Sequence, residues 1–113
     1  MSRHFNGEKA IAQAADAIVR QADPERIYLF GSRARGEATA ESDVDLLVVE
    51  REPFGPRRSR LQEINSLYRA ISPYRIAADI LVFSSEEFAR WRNSINHVVG
   101  RCEREGKLLY ARP

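Results

Sequence analysis

A chain of 113 residues with 43% hydrophobic and 30% charged content has enough apolar mass for one modest core and is too apolar to stay unfolded. Its formal charge of +2 gives only a weak pull on anionic partners, and a single cysteine, Cys102, excludes an intrachain disulfide and a paired-thiolate metal site. No apolar run approaches the roughly 18 residues of a membrane span, and the N-terminus lacks the apolar core of a signal peptide. These limits describe one domain over residues 1–113, cytoplasmic, with no membrane partner.

Met1 to Gly7 is polar and reads as a frayed end. From Lys9 to Ala22, Ile11, Ala14, Ala15, Ile18, Val19 and Ala22 recur at three- and four-residue steps, the signature of one helical stripe. Asp23-Pro24 ends that helix, because proline cannot continue the ladder and its predecessor avoids the helical region. Arg26 to Phe30 is short, aromatic and β-branched, and stops at a glycine, which predicts a strand. Gly31 to Gly36 makes a turn, with a helical turn starting near Ser32, and Glu37 to Ser42 forms a loop.

A second strand follows from Asp43 to Glu50. Its unbroken Leu46-Leu47-Val48-Val49 run suggests cover on both faces. After a loop marked by Pro53, Gly55 and Pro56, the segment Arg57 to Ile71 carries Leu61, Ile64, Leu67, Tyr68 and Ile71 at helical spacing. Arg75 to Phe83 reads as a third strand with Asp79 at its middle. Ser84 and Glu87 stand three apart, a capping box that opens a helix bearing Phe88 and Trp91. A last helix carries Ile95, Val98, Val99 and Cys102, with Gly106 as its stop and Leu108 to Tyr110 as a short edge strand. The result is a small α/β (α+β) fold, a mixed sheet of three to four strands flanked by helices.

The chemistry centres on three acids. Side chains alternate along a strand, so Asp43 and Asp45 face the same way with Cα atoms about 6.6 Å apart. Asp79 would lie about 5 Å away if its strand neighbours theirs. Two unit charges 4 Å apart repel by roughly 4 kcal/mol at a surface-like dielectric, so a cation or a proton is needed. Hard oxygen donors at this spacing suit Mg²⁺, which borrows further oxygens from phosphates. The structural alternative makes Asp43 a strand-start residue, Asp45 exposed, and Asp79 paired with an arginine. An acid inside a buried strand would need a partner, which favours the metal. Gly31-Ser32 supplies a turn where backbone can approach a phosphate, with amides at a following helix start as anion donors. A phosphate loop is excluded because Glu37-Ala38 follows Gly36, and a calcium loop because Leu46-Leu47 follows Asp45.

Gly31-Ser32, ten residues, then Asp43-Val44-Asp45, with a later strand acid at Asp79, resembles the nucleotidyltransferase superfamily related to DNA polymerase β. Length and the run Gly-Ser-Arg-Ala-Arg-Gly…Ser-Asp-Val-Asp-Leu are similar to the minimal nucleotidyltransferases, many of which serve as antitoxins to HEPN-domain toxins. The resemblance implies a polymerase-β-like fold and transfer of AMP from ATP to an acceptor hydroxyl. It implies Asp43, Asp45 and Asp79 as catalytic residues and ligands of two Mg²⁺ ions, with Gly31, Ser32, Arg35 and Ser42 on the nucleotide's phosphates. Arg35 could equally pair with Glu37 or Glu41. The implied acceptor is a tyrosine of a HEPN toxin; neutralisation by binding alone, a small-molecule acceptor and tRNA are the alternatives.

Arg51, Arg57, Arg58, Arg60, Arg69 and Arg75 keep the tRNA alternative open, although a solvated helix face is the preferred reading of them. His4 and His97 make poor metal ligands, the first at a frayed end and the second on a helix without a partner. Trp91, Phe88 and Tyr110 read as packing residues rather than base-stacking ones. Cys102 reads as a buried thiol.

Overall fold

A computed structural model describes residues 7–31, 34, 36 and 43–113. Ser32, Arg33, Arg35, the 37–42 loop and His4 lie outside the described residues, and with them the helical turn expected near Ser32. The element order is α1 (Glu8–Ala22), β1 (Arg26–Phe30), β2 (Val44–Glu50), α2 (Arg60–Ile71), β3 (Ala78–Ser84), α3 (Ser85–Trp91), α4 (Val98–Glu105) and β4 (Lys107–Ala111). The strands form one mixed sheet in the order β3-β2-β1-β4. β1 runs antiparallel to β2 and β4, whereas β2 and β3 are parallel.

The Leu46–Val49 run explains why β2 sits inside the sheet. Leu46 and Val48 join Ile11, Ala14 and Ile18 of α1 and Leu67 and Ile71 of α2 in one apolar cluster. Leu47 and Val49 point the other way, into a second cluster with Tyr28, Phe88 of α3, and Val99 and Cys102 of α4. Helices therefore cover both faces, and all four side chains of the run are at most 2% exposed. At about 25 cal/mol per Å² of apolar surface removed from water, such two-sided burial is the main stabilising term.

Local chemistry sets the element ends. α1 stops where Asp23 turns left-handed (φ 47°) and its N–H donates to the Val19 carbonyl at 2.9 Å, with Pro24 next. α2 starts three residues later than its periodicity suggested. Gly55 and Arg58 close a local bridge, and the Ser59 hydroxyl caps the helix by accepting from the Gln62 N–H. β3 also starts later, at Ala78, because a 3-10 turn over Ser72–Tyr74 and a left-handed Arg75 (φ 55°) intervene. The capping box forms as expected, Ser84 Oγ accepting from the Glu87 N–H at 3.1 Å and Glu87 Oε1 from the Ser84 N–H at 2.9 Å.

α4 begins at Val98, so Ile95 falls outside it and is 78% exposed. His97 is not a helical residue without partners. It caps α4, its Nδ1 accepting from the Val99 N–H at 3.1 Å, and its ring stacks on Trp91 at 4.6 Å. The six arginines divide. Arg51, Arg57, Arg69 and Arg75 are exposed, while Arg58 and Arg60 bracket the Phe54 ring and pair with Glu50 and Glu87 respectively. Phe88 packs as expected, buried and stacked on Tyr28, whereas Trp91 is 38% exposed. Tyr110 is half-buried against the first cluster, and Cys102 is buried.

Candidate active site

Strand register decides which residues meet. Phe30 at the end of β1 pairs with Asp45 of β2, and Asp45 pairs with Asp79 of β3. Directly paired residues share a sheet face, so Phe30, Asp45 and Asp79 form a row across three strands, about 5 Å between neighbours. The face is the one that Leu47 and Val49 share with α3 and α4. The sequence placed Asp79 beside the pair of acids, and the register makes Asp45 its direct neighbour.

The burial argument for Asp79 does not hold. Asp79 is exposed, because β3 is an edge strand and Asp79 is only its second residue. The apolar letters around it belong elsewhere: Ile80 and Val82 face the α1/α2 cluster, and Phe83 meets the α3/α4 side only further along. Asp43 is likewise exposed and precedes the first residue of β2. Among the described residues, no three His, Cys, Asp or Glu side chains converge closely enough to hold a metal ion, so the expected three-carboxylate cluster is not formed. The strand register brings Asp45 and Asp79 into direct pairing.

Gly31 completes the row's end. Its φ of +75° is a conformation L side chains rarely adopt, and a β-carbon there would stand under 3.0 Å from Asp45 Oδ2 and 3.2 Å from its Cγ. The missing side chain is what lets the turn lie against the carboxylate. This donor set fits a hard divalent cation shared with a phosphate: two neighbouring carboxylates, and a bare backbone turn beside one of them. Mg²⁺ commonly takes one or two protein carboxylates and fills its remaining positions with water and phosphate oxygens.

α4 borders the row on the β1 side. It is fastened to the sheet by Tyr28, whose hydroxyl accepts from Arg26 Nη1 at 3.0 Å and donates to Glu103 Oε1 at 3.2 Å, while Arg92 pairs with Glu103. Between α4 and the end of β1 lies a cavity of about 150 Å³ lined by Phe30, Gly31, Val98, Arg101, Cys102 and Glu105. Burial, with Glu103 nearby, pushes the Cys102 thiol up to about 12, so this sulfur is a neutral part of the wall and not a nucleophile. Sequence reasoning passed over Phe30, Arg101 and Glu105. The signal was present, since residues 98, 101, 102 and 105 fall at i, i+3, i+4 and i+7 on one helix face.

The family profile of the nucleotidyltransferase domain matches residues 11–110. The chain belongs to that family. This nucleotidyltransferase is 32% identical over 108 residues to MJ0604 of Methanocaldococcus jannaschii, a protein provisionally named a protein adenylyltransferase, covering 94% of the chain and 100% of the relative. A second protein of that organism with the same provisional name, MJ0141, is 38% identical over 58 residues, 51% of the chain and 54% of the relative. Among solved structures, a Sulfolobus solfataricus protein provisionally described as a nucleotidyltransferase superposes with a TM-score of 0.59 at 23% identity, covering 92% of this chain and 79% of that one. A toxin-antitoxin structure containing AMP-PNP superposes with a TM-score of 0.52 at 20% identity, covering 89% and 73%. At those identities the two superpositions speak for the fold. No helix among the described residues of the nucleotidyltransferase is long and apolar enough to cross a membrane.

Proposed function

We propose that this nucleotidyltransferase is a single catalytic domain over residues 1–113 that moves AMP from ATP to a hydroxyl, using two Mg²⁺ ions. In this reading the acceptor is a tyrosine of a HEPN-type toxin, the modification neutralises the toxin, and the pair acts in the cytoplasm. The observation that carries the reading is the row of Asp45 and Asp79 in register with Gly31 packed on the Asp45 carboxylate. The provisional name of MJ0604 supports a protein acceptor, and the toxin-antitoxin structure with AMP-PNP supports both the nucleotide and the partner.

The residues divide the work by position. Asp43 and Asp45 would hold the two cations, which would supply a lowered pKa for the acceptor and neutralisation of the departing pyrophosphate. Gly31 brings its backbone against the outer phosphates, and Ser32, Arg35 and Ser42 complete that end. Asp79, on the open edge of the sheet, orients the acceptor hydroxyl and accepts its proton. The acceptor oxygen attacks the α-phosphorus, the bond to the bridging oxygen breaks, and pyrophosphate leaves. The protein contributes mainly positioning and charge neutralisation.

The exposure of Asp79 suits this reading, because an acceptor carried on another protein must reach the site from solvent. Incubation of the protein with labelled ATP, Mg²⁺ and its partner toxin is expected to label the toxin, with loss of label for Asp45→Asn. Transfer that survives Asp45→Asn would defeat the assignment. One observation favours a second reading, neutralisation by binding alone: among the described residues the three acids do not converge on one point. Under that reading an Asp43→Ala/Asp45→Ala double variant protects cells from the toxin as well as the natural chain. The tRNA alternative is weakened by the engagement of Arg58 and Arg60 in ion pairs with Glu50 and Glu87.

A further inference from the structure

We infer that Tyr68 is a modification site: its phenol oxygen takes AMP from ATP bound at the acids of the same molecule, so the chain adenylylates itself. The inference rests on the reading of Asp45 and Asp79 as the transfer site, with Asp79 on the acceptor side. It adds a second acceptor, supplied by the chain and not by a partner.

Helix and strand together bring the hydroxyl there. α2 connects the parallel strands β2 and β3, and Leu67 and Ile71 hold its inner face in the α1/α2 cluster. Tyr68 comes one residue after Leu67, about 100° further round the helix, so it emerges beside the sheet rather than over it. Its hydroxyl accepts from the Ile80 N–H at 2.9 Å. β3 is the last strand on that side, so this N–H belongs to the open edge that another strand would otherwise occupy. The residue before Ile80 is Asp79. Bond lengths through the connecting peptide keep Tyr68 Oη no more than about 6 Å from the Asp79 α-carbon. Both groups meet solvent, Asp79 being exposed and Tyr68 37% exposed. Turning the Asp79 side chain toward the edge closes most of the gap.

The other tyrosines lie elsewhere. Tyr28 is 7% exposed, with its hydroxyl held between Arg26 and Glu103. The Tyr74 hydroxyl accepts from Arg20 of α1 at 3.0 Å, and Tyr110 is on β4, at the opposite edge of the sheet.

The Tyr68 phenol is free to react. The bond from Ile80 takes one lone pair of Oη and leaves the other, with the hydroxyl proton uncommitted to any described residue. That lone pair attacks the α-phosphorus of ATP, and the bond from phosphorus to the bridging oxygen breaks. Pyrophosphate departs with the electron pair, the phenol proton passes to the Asp79 carboxylate, and Tyr68 ends as a phosphodiester. An acceptor built into the enzyme needs no encounter, which favours it over one that must diffuse in. The adenylyl group then covers the approach to Asp79, so the modified chain labels another protein more slowly.

The test is incubation of the purified natural chain alone with Mg²⁺ and ATP labelled at the α- or the γ-phosphorus, followed by peptide mass spectrometry. The expected result is α-label only, one adenylyl group on the peptide carrying Tyr68, and a first-order rate that does not change with protein concentration. Tyr68→Phe loses the label, Asp79→Asn lowers it by about a hundredfold or more, and Tyr74→Phe keeps it. Position 68 is partly exposed and water can replace the hydroxyl at the Ile80 N–H, so Tyr68→Phe is expected to fold, with thermal melting as the check. A natural chain that labels its toxin but carries no adenylyl group on Tyr68 overturns self-modification while the nucleotidyltransferase reading stands. Label on Tyr68 that survives Asp79→Asn, or whose rate per chain rises with protein concentration, overturns it as well. A natural chain that labels neither itself nor the toxin overturns the two together.

Discussion

Gly31 and Asp45 are fitted to one another: the α-carbon of the glycine sits where any β-carbon would collide with the Asp45 carboxylate, at a φ of +75° that an L side chain resists. The contact joins the end of β1 to the start of β2 across the 31–43 connection. Both halves of the candidate site therefore depend on a missing side chain.

Gly31→Ala is expected to abolish nucleotidyl transfer. Two penalties combine, a strained left-handed backbone and displacement of the Asp45 carboxylate. The strain is on the order of 1–3 kcal/mol, and the turn moves to relieve it. Steady-state transfer and thermal melting of the variant check this together. A fully active Gly31→Ala enzyme would show that the contact has no catalytic meaning.

Asp79 separates activity from stability. An exposed edge-strand carboxylate supports little of the core, so Asp79→Asn is expected to shift stability by no more than about 0.5 kcal/mol. Transfer should fall by about a hundredfold or more, the range for loss of a proton acceptor. Had Asp79 been buried and paired, the same substitution would have been costly to the fold. Denaturant melts beside turnover rates distinguish the two.

Part of this was legible in the letters and part was not. The Leu46–Val49 run announced a strand covered twice, and Ser84 with Glu87 announced a helix start, because each is a local pattern with a local cause. The spacing of Gly31, Asp43 and Asp45 carried the family. Asp79 was misread because hydrophobic neighbours do not reveal whether a strand lies inside a sheet or at its edge; only the order β3-β2-β1-β4 does. His97 was misread for a similar reason. Its capping role depends on α4 starting at Val98, three residues after Ile95, and boundaries are the weakest part of a periodicity argument.

Ser84→Ala is expected to destabilise the chain by about 1 kcal/mol or more, through loss of the N-cap of α3. The buried Ser84 also sets the entry of a helix whose Glu87 pairs with Arg60, and Arg60 Nη1 reaches the Val82 carbonyl at 2.7 Å. The Arg60 guanidinium holds the Glu87 carboxyl below its ordinary value, so that pair gives stability at neutral pH that is lost as the pH falls through the acidic range. Urea titrations of Ser84→Ala and Ser84→Thr check the cap, with Thr expected to restore most of the loss.

At the far end of β2, Glu50 predicts the opposite pH dependence. It is 3% exposed, pairs with Arg58 through one oxygen, and buries the other, Oε2, without a hydrogen-bond partner among the described residues. Burial first, and then the neighbouring Glu63 carboxyl, push Glu50 up to about 8 despite Arg58. A carboxyl raised in the folded state binds more protons folded than unfolded, so its contribution is complete below the ordinary carboxylate range and is lost as pH rises through about 8. Each displaced pKa unit is worth about 1.4 kcal/mol, and 1 kcal/mol moves the Tm of a chain this size by about 4 °C. The Tm should therefore fall between pH 5 and pH 8.5 in the natural chain. Glu50→Gln imitates the protonated carboxyl, with an oxygen for Arg58 and an amide donor for Glu63, and should flatten the profile and melt higher at pH 8.5. A parallel decline in both proteins would assign the pH dependence to other groups.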